Sequence, residues 1–254
     1  MFFDHLTVAK EDPIFGVRNQ FNLDPREEKV FLTVGIYQNE KLQSEFLPVV
    51  RKTAQKVVSS DLRPDYLPID GLPLFLNEVG KLLFSEEAFK ERRSQIYGAQ
   101  TVGGTSALRL GGDFLKRFIG QKIYLPDPTW ANHKQIFENS GLEVGSYPYY
   151  DLASHSLSFD KLLVFVENLP EKSLLLFHAC CHNPTGADLN YHNWQTLAKV
   201  LKNKKHLPFL DFAYQGFGDG VEEDAKALKV FLEMNLEFLV AYSTSKKFSL
   251  YKHR

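Results

Sequence analysis

The sequence predicts an α/β protein, a three-layer α/β/α arrangement with a mostly parallel sheet and crossover helices on both of its faces. Short apolar runs recur along most of the chain, segments with apolar residues at helical spacing lie between them, and no repeat or low-complexity tract interrupts the alternation. That pattern is the signature of parallel strands joined by helices.

Residues 1 to about 47 open differently, with Pro13, Gly16 and the run Val30-Phe31-Leu32-Thr33-Val34-Gly35-Ile36-Tyr37, and read as an arm plus one strand. From Phe46 to Val58 the apolar residues recur at helical spacing. A second helix follows Gly71-Leu72-Pro73, with Leu72, Phe75, Leu76, Val79 and Leu83 on one face. Strand candidates then fall at Ser94 to Thr101, Lys122 to Leu125, Leu142 to Ser146, Ser173 to His178, Leu207 to Leu210 and Phe238 to Ser243. Between them lie helix candidates at Thr105 to Phe118, Asn132 to Asn139, Phe159 to Asn168, Trp194 to Leu201 and Glu223 to Met234.

Composition narrows the function classes. The chain has 254 residues, 44% of them hydrophobic, enough for a sizeable core in one or two domains. Thirty Lys plus Arg stand against thirty-one Asp plus Glu, a formal charge of −1. No global basic field points to nucleic acid or to an anionic membrane. The two cysteines, Cys180 and Cys181, are adjacent and cannot staple a framework, so a reducing cytoplasm is expected. Met1-Phe2-Phe3-Asp4-His5 carries no basic leader region, and no apolar stretch approaches the ~20 residues that span a bilayer.

The chemistry concentrates at the ends of the strand candidates. Leu207 to Gly216 ends on an acid, Asp211, then an aromatic hydroxyl, Tyr214. In open α/β sheets ligands bind beyond the carboxyl ends of strands. Asp211 reads either as a cap for the following turn or as a partner for a positive charge such as a protonated pyridine nitrogen. Gly103-Gly104-Thr105-Ser106 opens a helical pattern and reads as a tight turn with a Thr cap, as an anion site, or as both. Asp127-Pro128-Thr129-Trp130 and His182-Asn183-Pro184-Thr185-Gly186 also follow strand candidates. In Ser243 to Arg254, lysines stand among hydroxyls with an arginine at the end. Such a run suits either a solvated loop or a Schiff-base lysine beside a bound phosphate, because a desolvated amine loses its proton and becomes nucleophilic. The Gly-x-Gly-x-x-Gly run that a nicotinamide enzyme carries after its first strand is absent.

Taken in order, these motifs resemble the pyridoxal-phosphate aminotransferases of fold type I, in the branch of aspartate and aromatic amino-acid aminotransferases. The resemblance runs from Asp12-Pro13-Ile14-Phe15-Gly16 through Tyr66-Leu67-Pro68-Ile69-Asp70-Gly71, Gly103-Gly104-Thr105, Pro128-Thr129-Trp130-Ala131-Asn132-His133, Cys180-Cys181-His182-Asn183-Pro184-Thr185-Gly186 and Asp211 to Gly216, ending on the lysine motif. It implies a fold type I large domain over residues 48–254, preceded by an N-terminal arm and partial small domain over residues 1–47. It also implies that the large domain's sheet and the small domain continue past Arg254, so the chain is expected to be a truncated or partial member.

The resemblance also assigns roles. Lys246 holds the pyridoxal 5'-phosphate aldehyde as a Schiff base and then moves the substrate proton. Lys247, beside it, stands where relatives carry Asn. Asp211 pairs with the pyridinium nitrogen, backed by His133 and His178. Tyr214 and Asn183 donate to the phenolate oxygen, and Trp130 stacks on the ring. Gly104, Thr105, Ser243, Ser245 and Arg254 hold the phosphate, with Tyr66 reaching the phosphate of a neighbouring subunit in a homodimer. Val34 and Gly35, with Trp130 and Asn183, face the substrate, while Ile14 and Phe15 form an apolar plug. Cis bonds are expected at Asp127-Pro128 and Asn183-Pro184. Ser249 replaces a family glycine and would be strained at positive φ.

The activity so implied is amino-group exchange between aspartate, glutamate or an aromatic amino acid and a 2-oxo acid. No metal, nucleic acid or membrane enters. The alternatives are a lyase or decarboxylase using the same cofactor, or an inactive shortened relative whose incomplete sheet exposes an apolar edge.

Overall fold

The computed structural model describes residues 1–7, 13–31, 33, 35–60 and 65–251, with the side chains of 13–15 outside the description. The chain divides into two compact units, Met1–Glu45 and Phe46–Arg254. In the first, helix α1 (Pro13–Leu23) is followed by chain that Lys29 ties down, its ammonium donating to the carbonyls of Phe21 and Asp24 at 2.9 and 2.6 Å. Phe21 and Phe31 meet with ring centroids 5.2 Å apart. The strand expected over Val30 to Tyr37 is absent among the described residues, which find no ladder partner there; Leu32 and Val34 lie outside them.

The second unit begins with α2 (Pro48–Val58), α3 (Pro73–Phe84) and α4 (Glu86–Glu91). Each start has a local cause. Proline occupies the first turn of α2 and α3, where its missing N–H costs nothing. Ser85 caps α4 by accepting from the Ala88 N–H, and Glu86 and Glu87 sit at the positive end of the helix dipole. The alternating region follows: α5 (Gly103–Phe118), β1 (Lys122–Asp127), α6 (Asn132–Asn139), β2 (Glu143–Pro148), the short pair β3 (Tyr150–Asp151) and β4 (Ser156–Leu157), α7 (Phe159–Asn168), β5 (Leu174–His178), α8 (Tyr191–Asn203), β6 (Leu207–Phe212), α9 (Lys226–Glu233) and β7 (Leu239–Tyr242). An Asn190/Asn193 capping box starts α8.

Five strands pair in parallel in the order β2-β1-β5-β6-β7. From β1 the chain steps outward to β2 and then crosses to β5 on β1's other side, so the direction of winding reverses between β1 and β5. That reversal is where α/β sheets open a crevice. Side chains alternate across the sheet. Leu175, Phe177, Leu210 and Phe212 join α7, α8 and α9 in one core, while Ile123, Leu125, Leu174, Leu176 and Phe209 join α5 and α6 in the other. The same period of two puts His178, two residues after Leu176, and Asp211, two after Phe209, on the α5 and α6 face.

Two glycines seat α5 on that face. A Cβ on Gly111 would lie 2.4 Å from Cζ of Phe209, and one on Gly112 would lie 2.6 Å from Oγ of Ser140. The helix therefore lies closer to β6 and α6 than any side chain would allow.

The strand expected at Ser94 to Thr101 is corrected by the structure. Residues 93–95 form a 3-10 turn, and 96–100 run without a ladder. A strand needs a partner, and a cavity of about 1090 Å³ lined by Ile96, Tyr97, Ala99, Phe238 and Val240 lies between this segment and β7, the edge strand on that side of the sheet.

Candidate active site

The site is built at the carboxyl ends of β1, β5, β6 and β7. Asp211 is 8% exposed, and its Oδ2 lies 2.9 Å from Nε2 of His133, a fully buried side chain of α6. The other ring nitrogen of His133, Nδ1, lies 2.8 Å from the hydroxyl of Thr129 in the loop before α6. A neutral ring that donates from Nε2 to Asp211 accepts from the Thr129 hydroxyl at Nδ1. The two bonds fix the direction of the carboxylate.

His178, at the end of β5, lies beside this pair, with its ring centroid 5.1 Å from that of His133. The ring nitrogens of His133 and His178 and a carboxylate oxygen of Asp211 all fall within 4.8 Å of one another. Neither nitrogen of His178 meets a hydrogen-bond partner among the described residues, so only His133 of the two histidines bonds to Asp211. Burial, reinforced by His182 and His133, pushes the His178 pKa well below its ordinary value and keeps the ring neutral.

The loop after β5 presents Asn183. Asp188 braces it, accepting from the backbone N–H of Cys181 at 2.6 Å and of His182 at 2.8 Å. Tyr149 stacks on His182 at 4.0 Å and donates to the Ala187 carbonyl at 2.7 Å. The peptide bonds Asn183-Pro184 and Asp127-Pro128 are both cis. Asn183 hydrogen-bonds the Tyr214 side chain, and that bond partly counters the rise in the Tyr214 pKa produced by burial and by the charge of Asp211. Tyr214 therefore stays a neutral donor. Trp130 stands edge-on to His133, centroids 5.2 Å apart and planes at 89°.

Past β7 the chain turns through Ser243, Thr244 and Ser245 to Lys246, whose Nζ stands 5.3 Å from the centroid of the Tyr214 ring. Gly104, near the start of α5, abuts Ser243: a Cβ there would lie 3.2 Å from the serine Cβ. The glycine lets the N–H groups of the helix start and the Ser243 hydroxyl share one spot, an arrangement suited to an anion. Thr105 is exposed on the same first turn, and Ser245 is half-buried with its N–H 3.3 Å from Oγ of Ser243. Ser249 is held at φ 52°.

Asp211, His133, Trp130, Asn183, Tyr214, Lys246, Ser243, Ser245, Gly104 and Thr105 thus belong to one unit, on β6 or on segments that follow β1, β5, β6 and β7 or open α5. Tyr66 belongs to the same unit with its side chain wholly exposed. Gly35 belongs to the first unit. Val34 and Arg254 lie outside the described residues, as do the side chains of Ile14 and Phe15. The sequence reading gave Thr129 no role; it lies in the loop between β1 and α6, and no local periodicity marks its bond to His133.

The family model for aminotransferase class I and II matches residues 27–254. This chain belongs to the class I and II aminotransferases. It is 43% identical over 253 residues to an aspartate aminotransferase of Pseudomonas aeruginosa, covering 99% of this chain and 64% of that protein. It is 41% identical over 257 residues to a tyrosine aminotransferase of Klebsiella pneumoniae, with the same two coverages. An aromatic-amino-acid aminotransferase from Burkholderia pseudomallei, covalently bound to pyridoxal phosphate, superposes with a TM-score of 0.95 at 40% identity over 100% of this chain and 64% of that one. The chain thus spans 64% of the length of these aminotransferases. Its parallel sheet with helices on both faces is the fold of that structure.

Proposed function

We propose that this protein is a pyridoxal 5'-phosphate-dependent aminotransferase that moves an amino group between aspartate, glutamate or an aromatic amino acid and a 2-oxo acid. The observation that carries the reading is a buried, histidine-held carboxylate and a lysine amine bordering one crevice. A carboxylate that is 8% exposed needs a cationic partner to offset its desolvation, and a protonated pyridine is one. The glycine-lined contact between the start of α5 and Ser243 fits a phosphate at the other end of such a ring. When bound, pyridoxal phosphate supplies an aldehyde for the lysine and a protonated ring that draws electrons from the substrate α-carbon.

The residues divide the remaining work. Asp211 would pair with the ring nitrogen, and His133 with Thr129 keeps Asp211 aimed. Tyr214 and Asn183 donate to the phenolic oxygen, and Trp130 covers a ring face and excludes water. Gly104, Thr105, Ser243, Ser245 and Arg254 hold the phosphate. Lys246 would anchor the aldehyde, and its amine, when free, could take and return the proton of the substrate α-carbon. Val34 and Gly35 contact the substrate.

The reading extends to a cytoplasmic homodimer. Cys180 and Cys181 are free thiols, and the wholly exposed Tyr66 is available to a second subunit's phosphate. No described helix is long and apolar enough to cross a membrane. Domain limits at 1–47 and 48–254 are part of the same proposal.

Borohydride reduction in the presence of pyridoxal phosphate, followed by peptide mapping, tests the lysine. The label is expected on Lys246, and oxaloacetate is expected from aspartate with 2-oxoglutarate. A label elsewhere, or no amino transfer from any donor, overturns the reading.

A further inference from the structure

Two pairs of adjacent residues cross at the base of the lysine loop. Tyr214 and Lys246 approach each other, amine to ring centroid, at 5.3 Å. Their C-terminal neighbours, Gln215 and Lys247, meet each other separately: Nζ of Lys247 donates to Oε1 of Gln215 at 3.1 Å and also to the Tyr242 hydroxyl, and it stands 3.8 Å from the centroid of the Tyr242 ring. The same Gln215 oxygen accepts from the Tyr242 hydroxyl at 2.6 Å.

Gln215 is 1% exposed and is itself pinned, donating from Nε2 to the carbonyls of Leu82 and Val221 at 2.9 and 2.8 Å. The ammonium is therefore tied through one amide to the end of α3 and to the loop after β6. Asp224 anchors that loop from behind, accepting from the N–H groups of Gly216, Gly218 and Asp219.

We infer that Lys247 is a positioning residue, whose ammonium closes a half-buried clasp with Gln215 and Tyr242 that holds the Lys246 amine against Tyr214. The inference rests on the reading of Lys246 as the amine that anchors the cofactor. A backbone that can place one side chain over a ring has freedom to place it elsewhere, and a second side chain bonded to fixed groups removes that freedom. Charge strengthens the hold, because a cation donating to an amide oxygen and a hydroxyl binds more strongly than a neutral donor. The groups facing the ammonium are Tyr242, Gln215, the Cys180 thiol and the Asp224 carboxylate. Burial brings the Lys247 pKa down to about 8 while Cys180 and Asp224 oppose the fall, so the clasp weakens as pH rises past that value.

Lys247→Met keeps the stem and deletes the charge, and Lys247→Arg keeps a cation. With pyridoxal phosphate added, Lys247→Met is expected to lower kcat by roughly tenfold to a hundredfold, the scale of a small misplacement of reacting groups. KM for the amino donor should stay within about twofold, as expected when binding is untouched. The borohydride-trapped fraction on Lys246 should lose its dependence on pH near 8, and Lys247→Arg should recover part of both. Wild-type kcat and an unchanged pH profile in Lys247→Met, with Lys246 still labelled, would overturn the inference. Absence of label on Lys246 in the wild type would instead overturn the cofactor reading, and the clasp with it. Should Lys247→Met not fold, Tyr242→Phe removes one hydroxyl from the clasp. A fall in kcat smaller than that expected for Lys247→Met, with the pH dependence retained because Lys247 is still present, supports the inference, and a wild-type kcat refutes it.

Discussion

Substituting Gly111 by alanine tests whether the seat of α5 positions the anion site. An added Cβ would meet Phe209 at 2.4 Å (Cζ) and 2.6 Å (Cε1), where carbon atoms rest at about 3.5–4.0 Å. Ring or helix must give by more than about 1 Å. The ring has little room, since Phe209 is 2% exposed and packs edge-on against Phe137 with centroids 6.0 Å apart. Alanine gains about 1 kcal/mol of helix propensity and about 0.8 kcal/mol for a buried methyl. Against this stands overpacking of about 3 kcal/mol or more, the upper part of the usual range, because the clash is with the ring of a strand residue. The expected net loss is about 1–2 kcal/mol by urea unfolding. If α5 moves to relieve the clash, Gly104 leaves Ser243 and pyridoxal phosphate binds several-fold more weakly. Phe209→Leu in the same chain should restore part of both quantities, a coupling of about 1 kcal/mol. Gly111→Ala as stable as the wild type, with no coupling to Phe209, would refute the reasoning.

Lys246→Ala should abolish borohydride trapping at that position and lower transamination by at least the roughly 10²–10⁴-fold that a general acid–base contributes, read from initial rates. Ser249 is held in the left-handed region, at a cost of about 1–2 kcal/mol to a residue with a Cβ. Ser249→Gly should therefore raise stability by roughly 0.5–1 kcal/mol after glycine's own entropy is deducted, measured by urea unfolding. His178 and His182 bear on pH: both are buried, with the His182 pKa depressed to about 3 and that of His178 well below 6.5. Unfolded, each takes a proton near 6.5; folded, neither does until far lower. Stability is thus complete above about pH 6.5 and falls as pH drops below it, by up to about 1.4 kcal/mol per pH unit for each ring. Denaturation at pH 7.5 and 5.5 should show the fall, and His178→Asn should make it shallower; an equal slope in the variant removes His178 from the explanation.

Much of the fold was legible from spacing alone. Helices α6 and α7 begin and end where the apolar period placed them, at Asn132–Asn139 and Phe159–Asn168. Those segments carry their own amphipathic pattern, and the sheet accepts it unchanged. Ser94 to Thr101 was misread because strand propensity says nothing of whether a ladder partner exists. The pair β3 and β4 was missed because each strand is two residues long, too short for a period to register. Within the site, Asp211 was legible from its place at the end of an apolar run. Its bond to His133 crosses 78 positions, beyond the reach of any local pattern. The Lys247 clasp was hidden for the same reason, since a lysine among hydroxyls reads as solvated until Gln215 and Tyr242 are seen around it.

The cleft beside β7 bears on the lysine loop. Ser243 and Lys246 follow β7, which like β2 at the other edge is laddered on a single side, and the space next to it is walled in large part by apolar residues. Amides of that strand should exchange with deuterium sooner than those of β5 and β6, which are sandwiched between neighbours. How firmly the cleft is filled then governs how stiffly the Lys246 amine is held, so a packing change there is expected to be felt as a change in rate if Lys246 is the amine proposed above.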